Sequence, residues 1–131
     1  MIRTEFEAYL ECFNTRDYEK ATSYLADDFV LTFAGYVISG KEAFLRFYRF
    51  FHSYVNEKVF IRQFAGDDKN VIIDAAVRLE GKKALTSAIL KENGYERLVE
   101  VSRGDVVEIS QFIHYRIENG KFKEIRCLIK E

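Results

Sequence analysis

Cysteine and histidine are scarce, with two of each in 131 residues. Cys12 and Cys127 lie near opposite ends on apolar-patterned segments, which predicts buried free thiols rather than a disulfide. His52 and His114 have no HxH, HExxH or CxxC spacing around them, so no metal centre is expected. Proline is absent, and no Gly/Ser/Pro linker, repeat or low-complexity tract divides the chain. One domain over residues 1–131 is therefore expected. Charge of a single sign is missing too: 20 basic and 21 acidic side chains are interspersed, for a formal charge of -1. No block could track phosphates or an anionic membrane, which argues against nucleic acid and membrane partners. No apolar run approaches the ~20 residues of a membrane span. Met1 to Tyr9 is amphipathic and acidic, unlike a secretory leader, and a cytoplasmic protein is expected.

Aromatic residues are what the chain has in excess: twelve Phe and eight Tyr, without a single Trp. So much ring surface fits either an aromatic-rich core or a half-open, aromatic-lined cup. A globule of this length buries roughly two-thirds of its unfolded surface, enough for a core without disulfide or metal support.

Phe6, Tyr9, Leu10 and Phe13 fall at helical spacing, and Asn14-Thr15-Arg16-Asp17 ends that helix. Asp17 is a suitable cap for a short second helix through Leu25. Asp27 and Asp28 precede a β-rich stretch from Phe29 to Phe33, with turns allowed at Gly35 and Gly40. Ser39 or Gly40 opens a third helix, whose Phe44, Phe47, Tyr48, Phe51 and Val55 form a wide apolar stripe. From Val59 the period changes to two: Val59–Phe64, Val71–Leu79, Val106–Ile117 and Phe122–Ile129 read as strands. Asp67-Asp68-Lys69-Asn70 and Glu118-Asn119-Gly120-Lys121 are the tight connections. Between Gly81 and Gly104 the pattern weakens, and a lid or binding loop with a short helix or irregular strand is expected. The order, three helices and then a meander, predicts an α+β fold.

Four segments in this order resemble the NTF2-like superfamily, in its SnoaL-like and ketosteroid-isomerase-like branch. They are Tyr9-Leu10-Glu11-Cys12-Phe13-Asn14-Thr15-Arg16-Asp17, Tyr24-Leu25-Ala26-Asp27-Asp28-Phe29-Val30, Gly40-Lys41-Glu42-Ala43-Phe44 and Tyr115-Arg116-Ile117-Glu118-Asn119-Gly120-Lys121-Phe122. The resemblance implies a cone-shaped α+β barrel, with three N-terminal helices on a curved antiparallel sheet around a ligand cavity. It also implies a homodimer through the outer face of the sheet, where Phe112 falls between Ser110 and His114.

In the isomerases a first-helix tyrosine donates to the substrate oxygen and a third-helix tyrosine supports it. The resemblance puts Tyr9 and Tyr48 at these catalytic positions. A buried phenol aimed at a developing oxyanion needs little reorganisation in a low-dielectric pocket. The two acids of that mechanism correspond to Phe33 and Ile113, so neither carries over. Limonene-epoxide hydrolase offers a second comparison: Arg78-Leu79-Glu80 resembles its Arg-x-Asp, but its last-strand acid corresponds to Cys127.

Alternation assigns Val71, Ile73, Ala75, Val77 and Leu79 to the inner face, and Asp74, Arg78 and Glu80 to the outer one. His114 and Arg116 also read as outer-face residues. His52 follows the third helix's stripe and could tip toward the cavity mouth, though surface or interface placement fits better. The cavity lining expected is Phe13, Phe33, Phe47, Val77, Ile113 and Cys127, with Gln111 as a neutral polar group. The function expected is binding of a small apolar molecule. If the chain is an enzyme, the resemblance implies cofactor-free acid/base chemistry on an apolar carbonyl compound: isomerisation, cyclisation or dehydration. A non-catalytic binding or dimerisation module is the alternative, and the sequence names no base.

Overall fold

The structure, a computed structural model, describes residues 1–130. Its elements run α1 (Arg3–Asn14), α2 (Tyr18–Ser23), β1 (Leu25–Phe33), β2 (Tyr36–Ser39), α3 (Lys41–Tyr54), β3 (Val55–Gly66), β4 (Asn70–Gly81), α4 (Ser87–Glu92), β5 (Val106–Glu118) and β6 (Lys121–Ile129). One curved, unclosed sheet has the order β2-β1-β6-β5-β4-β3, with β1 and β6 parallel and every other pair antiparallel. This is the cone-like α+β arrangement expected. No helix among the described residues is long and apolar enough to cross a membrane.

Period-two patterning sets the register. Val71, Ile73, Ala75, Val77 and Leu79 are all buried on the inner face of β4. The β3–β4 turn closes because Asp67 Oδ1 accepts the backbone N–H groups of Lys69 and Asn70, each at 2.8 Å. At the β5–β6 hairpin Asn119 and Gly120 adopt φ of 53° and 75°, the pair of left-handed residues that matches the twist of the strands.

The helices pack on the concave face, and α1 supplies the innermost layer. Phe6 is fully buried, with its ring centroid 4.8 Å from that of Tyr115 and 5.7 Å from that of Phe64. The end of α1 is clamped to β3: Asn14 Nδ2 donates to the Val59 carbonyl at 3.0 Å, and the Val59 N–H donates to Asn14 Oδ1 at 2.9 Å. Arg16, at φ 66°, donates to the Phe13 carbonyl at 2.8 Å and reaches the Glu57 carbonyl from the other side. Asp17 caps α2 through the Lys20 N–H, as expected.

Several boundaries differ from expectation. Helix α2 ends at Ser23, and β1 starts at Leu25 rather than Phe29, because Leu25 pairs with Phe122 across the sheet. Residues 36–39 form a strand against β1. Helix α3 stops at Tyr54, and Val55 begins β3 four residues before the expected Val59. The 81–104 segment carries a fourth helix, capped by Thr86, with Leu85 bridged to Val101 and Leu90 fully buried. Cys12 and Cys127 are free thiols but only half-buried.

Candidate functional site

Between α1, α3 and the inner face of the sheet lies a cavity of about 270 Å³, just under the roughly 300–1,000 Å³ of most ligand pockets. Tyr9, Phe13, Phe33, Phe47, Tyr48, Val77, Gln111, Ile113 and Cys127, the nine residues singled out from the sequence, all lie on its wall. Alternation explains their convergence. Gln111, Ile113 and Tyr115 share the inner face of β5, and Phe44, Phe47, Tyr48 and Phe51 share one side of α3.

Glu57 is the residue that sequence reasoning missed. It is the third residue of β3, between inward-facing Val55 and Val59, and is 9% exposed on the cavity wall. Its Oε1 lies 2.7 Å from His52 Nε2, and His52 Nδ1 lies 2.8 Å from the Tyr18 hydroxyl. His52 is 4% exposed, so its expected surface placement is corrected: one turn beyond Tyr48, it stays on the stripe that faces inward. Phe13 meets the imidazole edge-on at 5.5 Å, and Tyr18 and Tyr48 stack on it at 6.0 and 5.1 Å.

This aromatic enclosure bears on the protonation of the imidazole. Burial lowers the His52 pKa below its ordinary 6.5 and outweighs the opposing hydrogen bond and charge of Glu57. A neutral imidazole then donates its Nε2 proton to the Glu57 carboxylate and accepts the Tyr18 proton at Nδ1, so both ring nitrogens are satisfied. The carboxylate is held in one orientation, and among the described residues its second oxygen makes no hydrogen bond. As pH falls through 6.5 the unfolded His52 takes up a proton while the native one does not, so stability declines toward the native pKa and levels off below it. Urea unfolding at about pH 7 and about pH 5 should show a smaller loss for His52→Gln than for the native chain. An equal loss in both would contradict a buried neutral His52.

The cavity also holds proton donors without partners. Among the described residues the hydroxyls of Tyr9, Tyr48 and Tyr115 make no hydrogen bond to protein, yet no unpaired side-chain polar atom is sealed off. These hydroxyls therefore open onto the cavity. Burial pushes all three phenols well above the ordinary tyrosine value, and the charge of Glu57 adds to the shift, so they stay protonated across the working pH range. Although Cys127 as a residue is half-buried, its thiol is enclosed by the cavity wall, and that burial pushes it up to about 12, which makes it a neutral wall group rather than a nucleophile.

The other candidate acids point away. Arg78 and Glu80 form an exposed pair at 3.8 Å on the outer face, with only Leu79 between them turned inward. Asp74 pairs with Lys130 at 3.1 Å, and His114 is held between Asn70 at 2.7 Å and Arg126 at 2.8 Å.

The SnoaL-like domain family matches residues 6–125. The chain belongs to this family. A search of curated protein sequences finds no match. Solved structures similar to this SnoaL-like chain include a SnoaL-like polyketide cyclase from Agrobacterium tumefaciens, 12% identical with a TM-score of 0.71 over 96% of this chain and 88% of that one. An LEH-like epoxide hydrolase of Mycobacterium tuberculosis is 17% identical, with a TM-score of 0.70 over 95% and 79%. A M. tuberculosis protein in complex with estradiol-17β-hemisuccinate is 16% identical, with a TM-score of 0.68 over 92% and 87%. At these identities the likeness is one of fold, and the SnoaL-like chain carries its own polar groups on the cavity wall, Glu57 among them.

Proposed function

We propose that this SnoaL-like protein is a cofactor-free acid/base catalyst acting on a compact, largely apolar carbonyl compound bound in the cavity. The observation that carries the reading is Glu57: a buried carboxylate on an apolar wall, oriented by His52 and sharing that wall with phenols that make no hydrogen bond among the described residues. A carboxylate with one free oxygen is equipped to remove a proton from carbon next to a carbonyl group. The electron pair of that C–H bond moves into the carbonyl, and the enolate oxygen takes hydrogen bonds from Tyr9 and Tyr48. In a β,γ-unsaturated ketone, return of the proton from Glu57 to the γ-carbon moves the double bond into conjugation; where the molecule carries a second carbonyl, attack of the enolate carbon on it closes a ring and the alkoxide formed takes the proton back from Glu57. Gln111, the neutral polar group on β5, suits a further polar atom of the ligand.

The test needs no knowledge of the natural substrate. In deuterium oxide, compact ketones incubated with the protein should lose their α-proton NMR signals faster than with buffer alone. Tight binding without any exchange, over a panel of such ketones, would instead favour a non-catalytic binding module.

A homodimer through the outer sheet face belongs to the same reading. Phe112 and Leu128 are directly paired across β5 and β6 and are 45% and 65% exposed, and Ile72 and Phe60 extend the apolar surface over β4 and β3. Sedimentation at micromolar concentration should give a dimer for the native chain and a monomer for Phe112→Asp combined with Leu128→Asp. A monomeric native chain would contradict the proposed interface.

A further inference from the structure

Among the described residues two charged side chains reach the cavity, and they lie at different depths. Glu57 is buried, whereas Arg97 is exposed and lines the cavity beside Ala34, Val99 and Ile129, the residues of its mouth. The guanidinium of Arg97 is held in position. Its carbon lies 4.5 Å from the centre of the Tyr36 ring, and the Arg97 backbone N–H donates to the Tyr36 hydroxyl at 2.9 Å. Gly35 makes room for it: at φ 82°, a Cβ on this residue would stand 2.5 Å from Arg97 Nη1. Yet among the described residues no carboxylate comes within 4.0 Å of this guanidinium. A planar guanidinium that stacks on a ring and has no carboxylate neighbour among the described residues is suited to a two-point grip on a carboxylate.

We infer that the ligand of this cavity carries a carboxylate, held at the mouth by Arg97, on the same molecule whose carbonyl end enters toward Glu57. The substrate class is then an apolar keto acid. The inference rests on the reading of the cavity as a ligand site and adds the anionic end to it. The polarity of the cavity favours this orientation. A carboxylate driven inward would meet the negative charge of Glu57 in surroundings of low dielectric, whereas at the mouth it meets a cation and water. The apolar walls between, including Phe33, Phe47, Leu98 and Ile109, take the body of the molecule.

The probes are β-benzoylpropionic acid, a compact aromatic keto acid, and its methyl ester, which has the same carbon frame without the charge. Calorimetric titration of the native protein is expected to show the acid binding about tenfold more tightly than the ester, a margin that shrinks as salt is added. Arg97→Gln should remove the margin by weakening the acid alone, and Arg97→Lys should restore part of it. Equal binding of acid and ester by the native protein, or a margin that survives Arg97→Gln, would overturn the inference. In that case ester binding with Glu57-dependent α-proton exchange would leave the catalytic reading standing. Failure of both probes to bind would count against the ligand site and the anionic end together.

Discussion

Glu57→Gln is expected to slow α-proton exchange by about 10²- to 10⁴-fold, the range that a positioned general base contributes, while leaving ketone binding within about twofold. The substitution keeps the size of the side chain, and its amide oxygen can still accept the Nε2 proton of His52, so the buried contact at 2.7 Å persists without the charge. Glu57→Ala is the poorer test. It would strip a buried imidazole N–H of its acceptor, a loss of about 1–3 kcal/mol that confuses catalysis with folding. Exchange that is undiminished in Glu57→Gln would remove Glu57 from the mechanism. Loss of binding together with rate would recast it as a ligand contact.

Tyr9→Phe should reduce kcat by about 10²- to 10³-fold, the loss typical of one oxyanion donor, with little change in KM. The ring itself is a core element: its centroid lies 4.8 Å from that of Phe122 and 5.4 Å from that of Tyr24, contacts that phenylalanine retains. Among the described residues the hydroxyl removed makes no hydrogen bond and opens onto the cavity, so the unfolding midpoint should hold or rise slightly. A drop in stability without a drop in kcat would mean that the hydroxyl serves the fold through an ordered water instead. Tyr48→Phe tests the second donor in the same way, and a larger effect there would exchange the two roles.

The inner faces of the long strands were legible because alternation of apolar and polar residues survives wherever one face of a sheet is buried. That pattern places Val77, Gln111, Ile113 and Cys127 on one wall. Glu57 was hidden by Val55, which satisfies two periods at once. It continues the helical stripe of Phe44, Phe47 and Phe51, and it also begins an inward alternation with Glu57 and Val59. Read as part of the helix, Val55 puts the strand start at Val59 and leaves Glu57 in a connection. His52 was misplaced for a related reason. Its spacing of four from Tyr48 marks the inward stripe, but a titratable ring on an apolar face reads as a surface residue until its partner is known. That partner was the residue concealed by the boundary.

The mouth of the cavity could not have been read from the chain. Arg97 owes its place to Tyr36, 61 positions away in sequence, and to the space left by Gly35. Neither contact leaves a periodic signature, because Gly35 and Arg97 both lie in turns, where side-chain direction follows individual backbone angles.

The most direct test of the account is a crystal structure of the protein bound to a compact ketone whose α-protons it exchanges. The account predicts the ligand inside the cavity, with its α-carbon within about 3.5 Å of the free Glu57 oxygen and its carbonyl oxygen within hydrogen-bonding distance of the Tyr9 or Tyr48 hydroxyl. A ligand bound elsewhere, or one whose carbonyl turns away from both tyrosines with no α-carbon near Glu57, would contradict it.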